Sequence, residues 1–166
     1  MHTACPFFVV MNKLIKLRDN LKSINSVRAI NTLLNKIYKI FESEILDLNI
    51  SQLWEKGQDS TGRILRSEFA IGGNVYSTRT IIYKSDKGQP IDRVTLKDDG
   101  DFYQGFILKV TNSGITITST DSKTGKLVKV WGRDIFGLNK ENMNELIEEM
   151  IKPELKIMIY DKIFAS

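Results

Sequence analysis

The sequence predicts an α+β protein with N-terminal helices, an antiparallel β-sheet (a meander) packed against helices, and a C-terminal helix kinked or broken at a proline. Three observations carry this reading. Apolar residues recur at helical spacing from Met11 to Leu48. The pattern changes to alternation with β-branched residues between Phe106 and Thr118. A helical stripe then returns after Asn139. A length of 166 residues suits one domain able to bury its own core. With 42% hydrophobic and 27% charged residues, the composition is that of a folded chain, not a disordered one.

Residues 1–10 read as a flexible tail and 11–166 as a single domain. The domain divides into a helical part (11–57), a loop or β arm (58–93), the meander (94–132) and the C-terminal helix (139–163). Pro6 to Val10 is apolar but lacks the positive start of a signal peptide and is too short to cross a membrane. It reads as a plain tail or as an arm that docks on a neighbouring subunit. Between Leu14 and Leu48 the stripe is interrupted at Asn25-Ser26, so one bent helix or two in series is expected, with Ser26 as an N-cap. A short helical turn follows and ends at Gly57, a C-cap glycine. Val75 to Tyr83 reads as β-rich or as a mobile basic loop. Phe106–Thr111, a turn at Asn112-Ser113-Gly114, Ile115–Thr118 and then Leu127–Trp131 form the meander. Asn139 caps the last helix, with Leu138 and Met143 placed for a hydrophobic staple, and Pro153 interrupts its apolar stripe.

Few catalytic classes survive inspection. The only cysteine and histidine, Cys5 and His2, stand at the extreme N-terminus, which argues against a Cys–His pair, an internal disulfide or a histidine-based metal site. Gly57–Arg63 and Thr124-Gly125-Lys126 resemble pieces of a phosphate-binding loop, but Lys126 is followed by Leu127 and not by Ser or Thr opening a helix. Asp98, Asp99 and Asp101 form an acidic cluster without the glutamate an EF-hand needs at its twelfth position. It reads as a structural turn: Asp98 or Asp99 caps a short helix through backbone amides, Gly100 permits the tight entry, and Leu96, Phe102 and Phe106 are buried. No catalytic, cofactor or metal residue is assigned. A net charge of +4 is mildly basic, and the lysines of the first helices read as a solvated face.

One order of features resembles a known family. A helical N-terminal half leads to Leu53-Trp54-Glu55-Lys56-Gly57-Gln58-Asp59-Ser60-Thr61-Gly62 and the basic Thr78-Arg79-Thr80-Ile81-Ile82-Tyr83-Lys84. Leu96-Lys97-Asp98-Asp99-Gly100-Asp101-Phe102-Tyr103-Gln104-Gly105-Phe106, a hairpin and a C-terminal helix follow. From about Leu53 to Ile163 this resembles the virion-morphogenesis, tail-completion and head–tail-joining (neck connector) proteins of tailed bacteriophages. Asp99 stands where that family usually has Thr, and Phe102 where Leu is commoner. The resemblance implies a structural protein of the virion neck or tail, made in the host cytoplasm. It implies a homo-oligomeric ring touching the portal or adjacent neck and tail proteins, with DNA passing through the lumen without tight binding. It implies no membrane, no cofactor and no enzyme activity. Within it Tyr76, Arg79, Tyr83, Lys84 and Lys87 form a candidate subunit-contact arm, basic and flanked by glycines; an ordinary surface hairpin is the alternative. The runner-up function is a small basic nucleic-acid-binding module using the lysine-bearing helices; an enzyme using Asp98 to Asp101 is third.

Overall fold

The computed structural model describes residues 6–111 and 114–164, and side chains from residue 15 onward. His2, Cys5 and the Asn112-Ser113 turn lie outside the described residues. The class is α+β, with helices before and after one two-stranded antiparallel sheet. Helix α1 spans Pro6–Ile24, so its first turns occupy part of the stretch the sequence suggested as a tail. Pro6 suits that start, because the first helical residues have no intrahelical partner for an N–H. Helix α2 (Val27–Ile40) begins where Ser26 accepts a bond from the Ala29 amide, as the sequence predicts. Helix α3 (Glu42–Lys56) continues it through a bend at Phe41, and backbone bonds cross the bend from Phe41 to Ile37 and from Ile45 to Phe41. At about 1.5 Å per residue, residues 27–56 make roughly 45 Å of helix. Gly57 ends it at φ 60°, where an added Cβ would meet Arg93 Cβ at 3.0 Å.

The G-x-D-x-x-G segment that follows folds around a buried carboxylate. Asp59 is 0% exposed and accepts four bonds: Thr61 N at 3.0 Å, Thr61 Oγ1 at 2.6 Å, Arg63 N at 3.1 Å and Arg63 Nε at 2.9 Å. Burial alone pushes its pKa up, but the bonds from Thr61 and Arg63 outweigh that and hold it below the ordinary carboxylate value.

The segment read as β-rich or loop is helix α4, Thr78–Asp86. Ser77 caps it, accepting from the Thr80 amide at 3.3 Å, a local signal that outweighs the β-branched residues Thr78, Thr80, Ile81 and Ile82. A single turn, α5 (Asp101–Gln104), precedes strands β1 (Phe106–Thr111) and β2 (Gly114–Ser119), which pair from Phe106↔Ser119 to Thr111↔Gly114. The expected third strand does not exist. Residues Thr124–Trp131 form helix α6, which sets Leu127, Val128 and Trp131 half-buried on one face and leaves Val130 59% exposed. Alternation suggested a strand there, but packing at helical spacing decides otherwise.

After a 3₁₀ turn at Arg133–Ile135, Asn139 caps helix α7 (Lys140–Glu145) through the Asn142 amide, as predicted. Leu138 is buried, whereas Met143, its expected staple partner, is 38% exposed. The chain stays helical through Pro153. A π-helical segment, Leu146–Ile151, leads directly into α8 (Lys152–Phe164). Pro153 can neither donate to nor sit close against the carbonyl four residues earlier, and a widened turn accommodates it without a break.

The core joins Ile45, Leu48 and Leu53 of α3 to Val94, Phe102, Phe106, Leu108, Ile117, Ile135, Leu138 and Leu146. Two α3 amides at 0% exposure fix the approach to α7. Asn49 donates to the Ile135 carbonyl at 3.2 Å and accepts from the Gly137 amide at 3.1 Å. Gln52 donates to the Gly137 carbonyl at 2.9 Å and accepts from the Asn139 amide at 2.8 Å. Both buried side chains are therefore satisfied by main chain. At the other end, α8 packs on α1 and α2, and Asn20 Nδ2 donates to the Ile163 carbonyl at 3.0 Å.

Candidate functional site

Of the residues singled out in the sequence, Tyr76, Tyr83 and Lys84 from the α4 segment and Asp98, Asp99, Gly100 and Phe102 from the turn before β1 line a single cleft of about 410 Å³, whereas Arg79, Lys87 and Phe106 do not. Val94, Leu96 and Phe102 line its depth, Leu127 and Trp131 a wall, and Asp98, Asp99 and Lys123 its rim. Lys87 Nζ lies 2.5 Å from Asp98 Oδ1 and 3.0 Å from Asp99 Oδ1. Tyr83 donates its hydroxyl to the same Asp98 oxygen at 2.9 Å. Lys123, at the start of α6, stands 3.9 and 4.0 Å from the second oxygens of the two aspartates. Hydrogen bonds from Lys87 and Tyr83 lower the Asp98 pKa, and the bond to Asp98 raises that of Lys87. Two carboxylates and two ammonium groups thus tie the end of α4 to the turn and to α6. Among the described residues no group of three or more metal-ligating side chains is present.

This arrangement corrects two expectations. Asp98 and Asp99 do not cap the next turn, because their oxygens are taken by Lys87, Tyr83 and Lys123; the N-cap of α5 is Gly100, at φ 108°, with no side-chain bond. Nor is residues 76–87 a free arm. Tyr76 is 5% exposed, and its hydroxyl accepts from the Thr95 amide at 2.8 Å. Lys84 is 6% exposed, and its ammonium is saturated by Gln89 Oε1 at 2.9 Å, Thr95 Oγ1 at 3.3 Å and the Lys97 carbonyl at 2.8 Å. Burial lowers its pKa, against the pull of Asp98. Arg79, Tyr83 and Lys87 remain on the surface. Phe102 and Phe106 are buried as expected, at 4% and 6%, with ring centroids 5.0 Å apart edge to face. Leu96 is half-buried and holds φ 52°, a left-handed conformation unusual for a leucine.

Sequence reasoning missed three apolar surfaces, because each is defined by what fails to cover it. The first lies where α1, α2 and α8 meet. Leu21, Ile24, Val27, Ile30, Ile159 and Ile163 line a groove of about 580 Å³, and Val27 (78%), Tyr160 (62%) and Phe164 (56%) are largely exposed. The second is the loop between Leu65 and Tyr76, closed by the Ser67 amide on the Val75 carbonyl at 2.8 Å. Its tip holds Phe69 and Ile71 at 70% and 71% exposure.

The third is the outer edge of β2. The Thr120 amide bonds the Gly105 carbonyl at 2.8 Å in the register of the hairpin. Alternate pairs therefore exchange bonds, Ile107 with Thr118 and Lys109 with Thr116, and the N–H and C=O groups of Ile115 and Ile117 point away from β1. Among the described residues those groups have no partner. Four consecutive residues, Ile115 to Thr118, line a groove of about 520 Å³ against Val128, Phe136, Leu138 and Met143. Consecutive strand residues point to opposite faces, so a run of four can line a groove only along the strand's edge. Comparison with known proteins finds no match to this chain in any family model, curated sequence or solved structure.

Proposed function

We propose that the chain is a structural subunit of a tailed-phage particle, a neck connector or tail-completion component that works as a homo-oligomer. The observation that carries this reading is the apolar surface left open where α1, α2 and α8 meet. A groove lined by Leu21, Ile24, Val27, Ile30, Ile159 and Ile163 is what a protein presents to a partner. The cleft between α4, the turn before β1 and α6 is rimmed by ion pairs that hold those elements together. The test is imaging of the purified protein and of the intact particle. A closed ring at the capsid–tail junction supports the reading, and a chain absent from the particle and monomeric in solution overturns it.

Lys16, Arg18, Lys22, Arg28, Lys36 and Lys39, all exposed on α1 and α2, support the second reading, a basic nucleic-acid-binding module. Submicromolar, steeply salt-dependent binding to naked DNA would put that reading first.

A further inference from the structure

The sheet has two strands among the described residues, and one edge of it, that of β2, borders a groove. We propose that β2 accepts a third strand from a second copy, and that this strand is the loop Ser67–Gly73. The inference rests on the reading of the chain as an assembling subunit and specifies the chemistry of its contact. The outward N–H and C=O groups of Ile115 and Ile117 have no partner among the described residues and border the groove, Ile115 half-buried and Ile117 6% exposed, so the added strand must enter that groove to reach them. Exposed edges are commonly guarded by charged residues or proline, yet Gly114–Ser119 contains neither. Such an edge suits a strand that is covered in the assembled state. Added strands gain affinity from main-chain bonds and specificity from alternate side chains entering pockets.

The loop carries the side chains for this role, and its two turns, Ala70 N to the Ser67 carbonyl and Asn74 N to the Ile71 carbonyl, open when it extends onto the edge. Phe69 and Ile71 are two apart, so in an extended segment they fall on one face. Both are unpacked in the single chain, and the groove beside β2 offers Val128, Phe136, Leu138 and Met143. Charge fixes the choice of occupant. Arg133 is the one charged residue lining that groove, and among the described residues it has no ion-pair partner. Glu68, exposed immediately before Phe69, likewise has none. Loop on one copy and edge on the next are different surfaces, so the contact is head to tail and forms a ring where its rotation closes.

The test uses full-length protein in sedimentation velocity across a dilution series. Ile115→Pro removes one outward N–H while Thr116 and Thr118 keep their bonds to β1. The double substitution Phe69→Asp with Ile71→Asp disables the loop. Each variant alone should be monomeric where the unsubstituted chain assembles. Mixed together they should form a 1:1 dimer and nothing larger, since one supplies the edge and the other the loop. Glu68→Arg or Arg133→Glu alone should weaken assembly about tenfold, and the two together should restore it. Assembly of all these variants as in the unsubstituted chain, or a mixture that stays monomeric, overturns the strand-addition contact while leaving an oligomeric function standing. A chain monomeric at every concentration and absent from particles overturns the functional reading and this contact with it.

Discussion

Replacing Asp59 by Asn tests whether the G-x-D-x-x-G turn is held by a charge. The carboxylate gathers four donors, two from main chain and two from the side chains of Thr61 and Arg63. An amide of the same shape keeps one accepting oxygen. Its NH₂ group would point at another donor, either the Arg63 guanidinium or the Thr61 cluster. Hydrogen bonds to a charged group contribute about 1.5–3 kcal/mol each when buried. Arg63 is 62% exposed, so its share is screened and counts for little. The expected loss for Asp59→Asn is therefore about 2–3 kcal/mol, carried mainly by the buried bonds from Thr61 and the Arg63 amide. The folded pKa is depressed, so the stabilisation is present in full above the unfolded value near 3.9 and is lost as pH falls below it. Urea unfolding of both proteins at neutral pH and near pH 3 measures this directly. The gap should be full at neutral pH and should narrow in acid. Equal stability at neutral pH, or a gap unchanged near pH 3, refutes the reasoning.

Phe102→Ala should cost about 3–5 kcal/mol in chemical denaturation, since the ring is 4% exposed and packs against Phe106, Tyr103 and Phe136. Lys84→Met should destabilise by about 1–3 kcal/mol at neutral pH, because three acceptors lose their donor. The Lys84 pKa is lowered on folding, so the unfolded chain holds the proton longer, and the native protein should gain stability over Lys84→Met as pH rises toward about 10.4. Deleting residues 75–88 should abolish cooperative unfolding, since it removes buried Tyr76 and Lys84; a retained two-state transition would contradict the packed position of α4.

The parts of the fold that were legible in the sequence are those decided within a few residues. Ser26, Gly57 and Asn139 mark helix ends through bonds to amides or carbonyls three to five positions away, so their residue types announce them. The hairpin is legible because alternation and a turn coincide. Helix α6 was not, because Leu127, Val128 and Val130 favour a strand on their own, and only the core that receives Leu127 and Trp131 decides for helix. Ser77 with Thr80 was a readable cap for α4, masked by the β-branched residues around it. The Asp98–Asp99 cluster was visible, but its partners were not: Lys87 follows the end of α4 and Lys123 precedes the start of α6, to either side in sequence, and no spacing rule links them. An open strand edge has no signature in sequence at all, since it is a missing neighbour.

The bond between Asn20 and the Ile163 carbonyl spans 143 positions, and this separation sets an order of events in folding. The hairpin and the bonds of α3 to residues 135–142 can form while α1 still lacks its partner helix. Closing so large a loop carries the greatest entropic cost and is recovered only once α8 is in place. Helix α1 leaves the ribosome before the other described elements and should dock last. Pulse-labelled amide exchange during refolding should find α1 and α8 gaining protection together, after β1 and β2; early protection of α1 would show that it folds without α8.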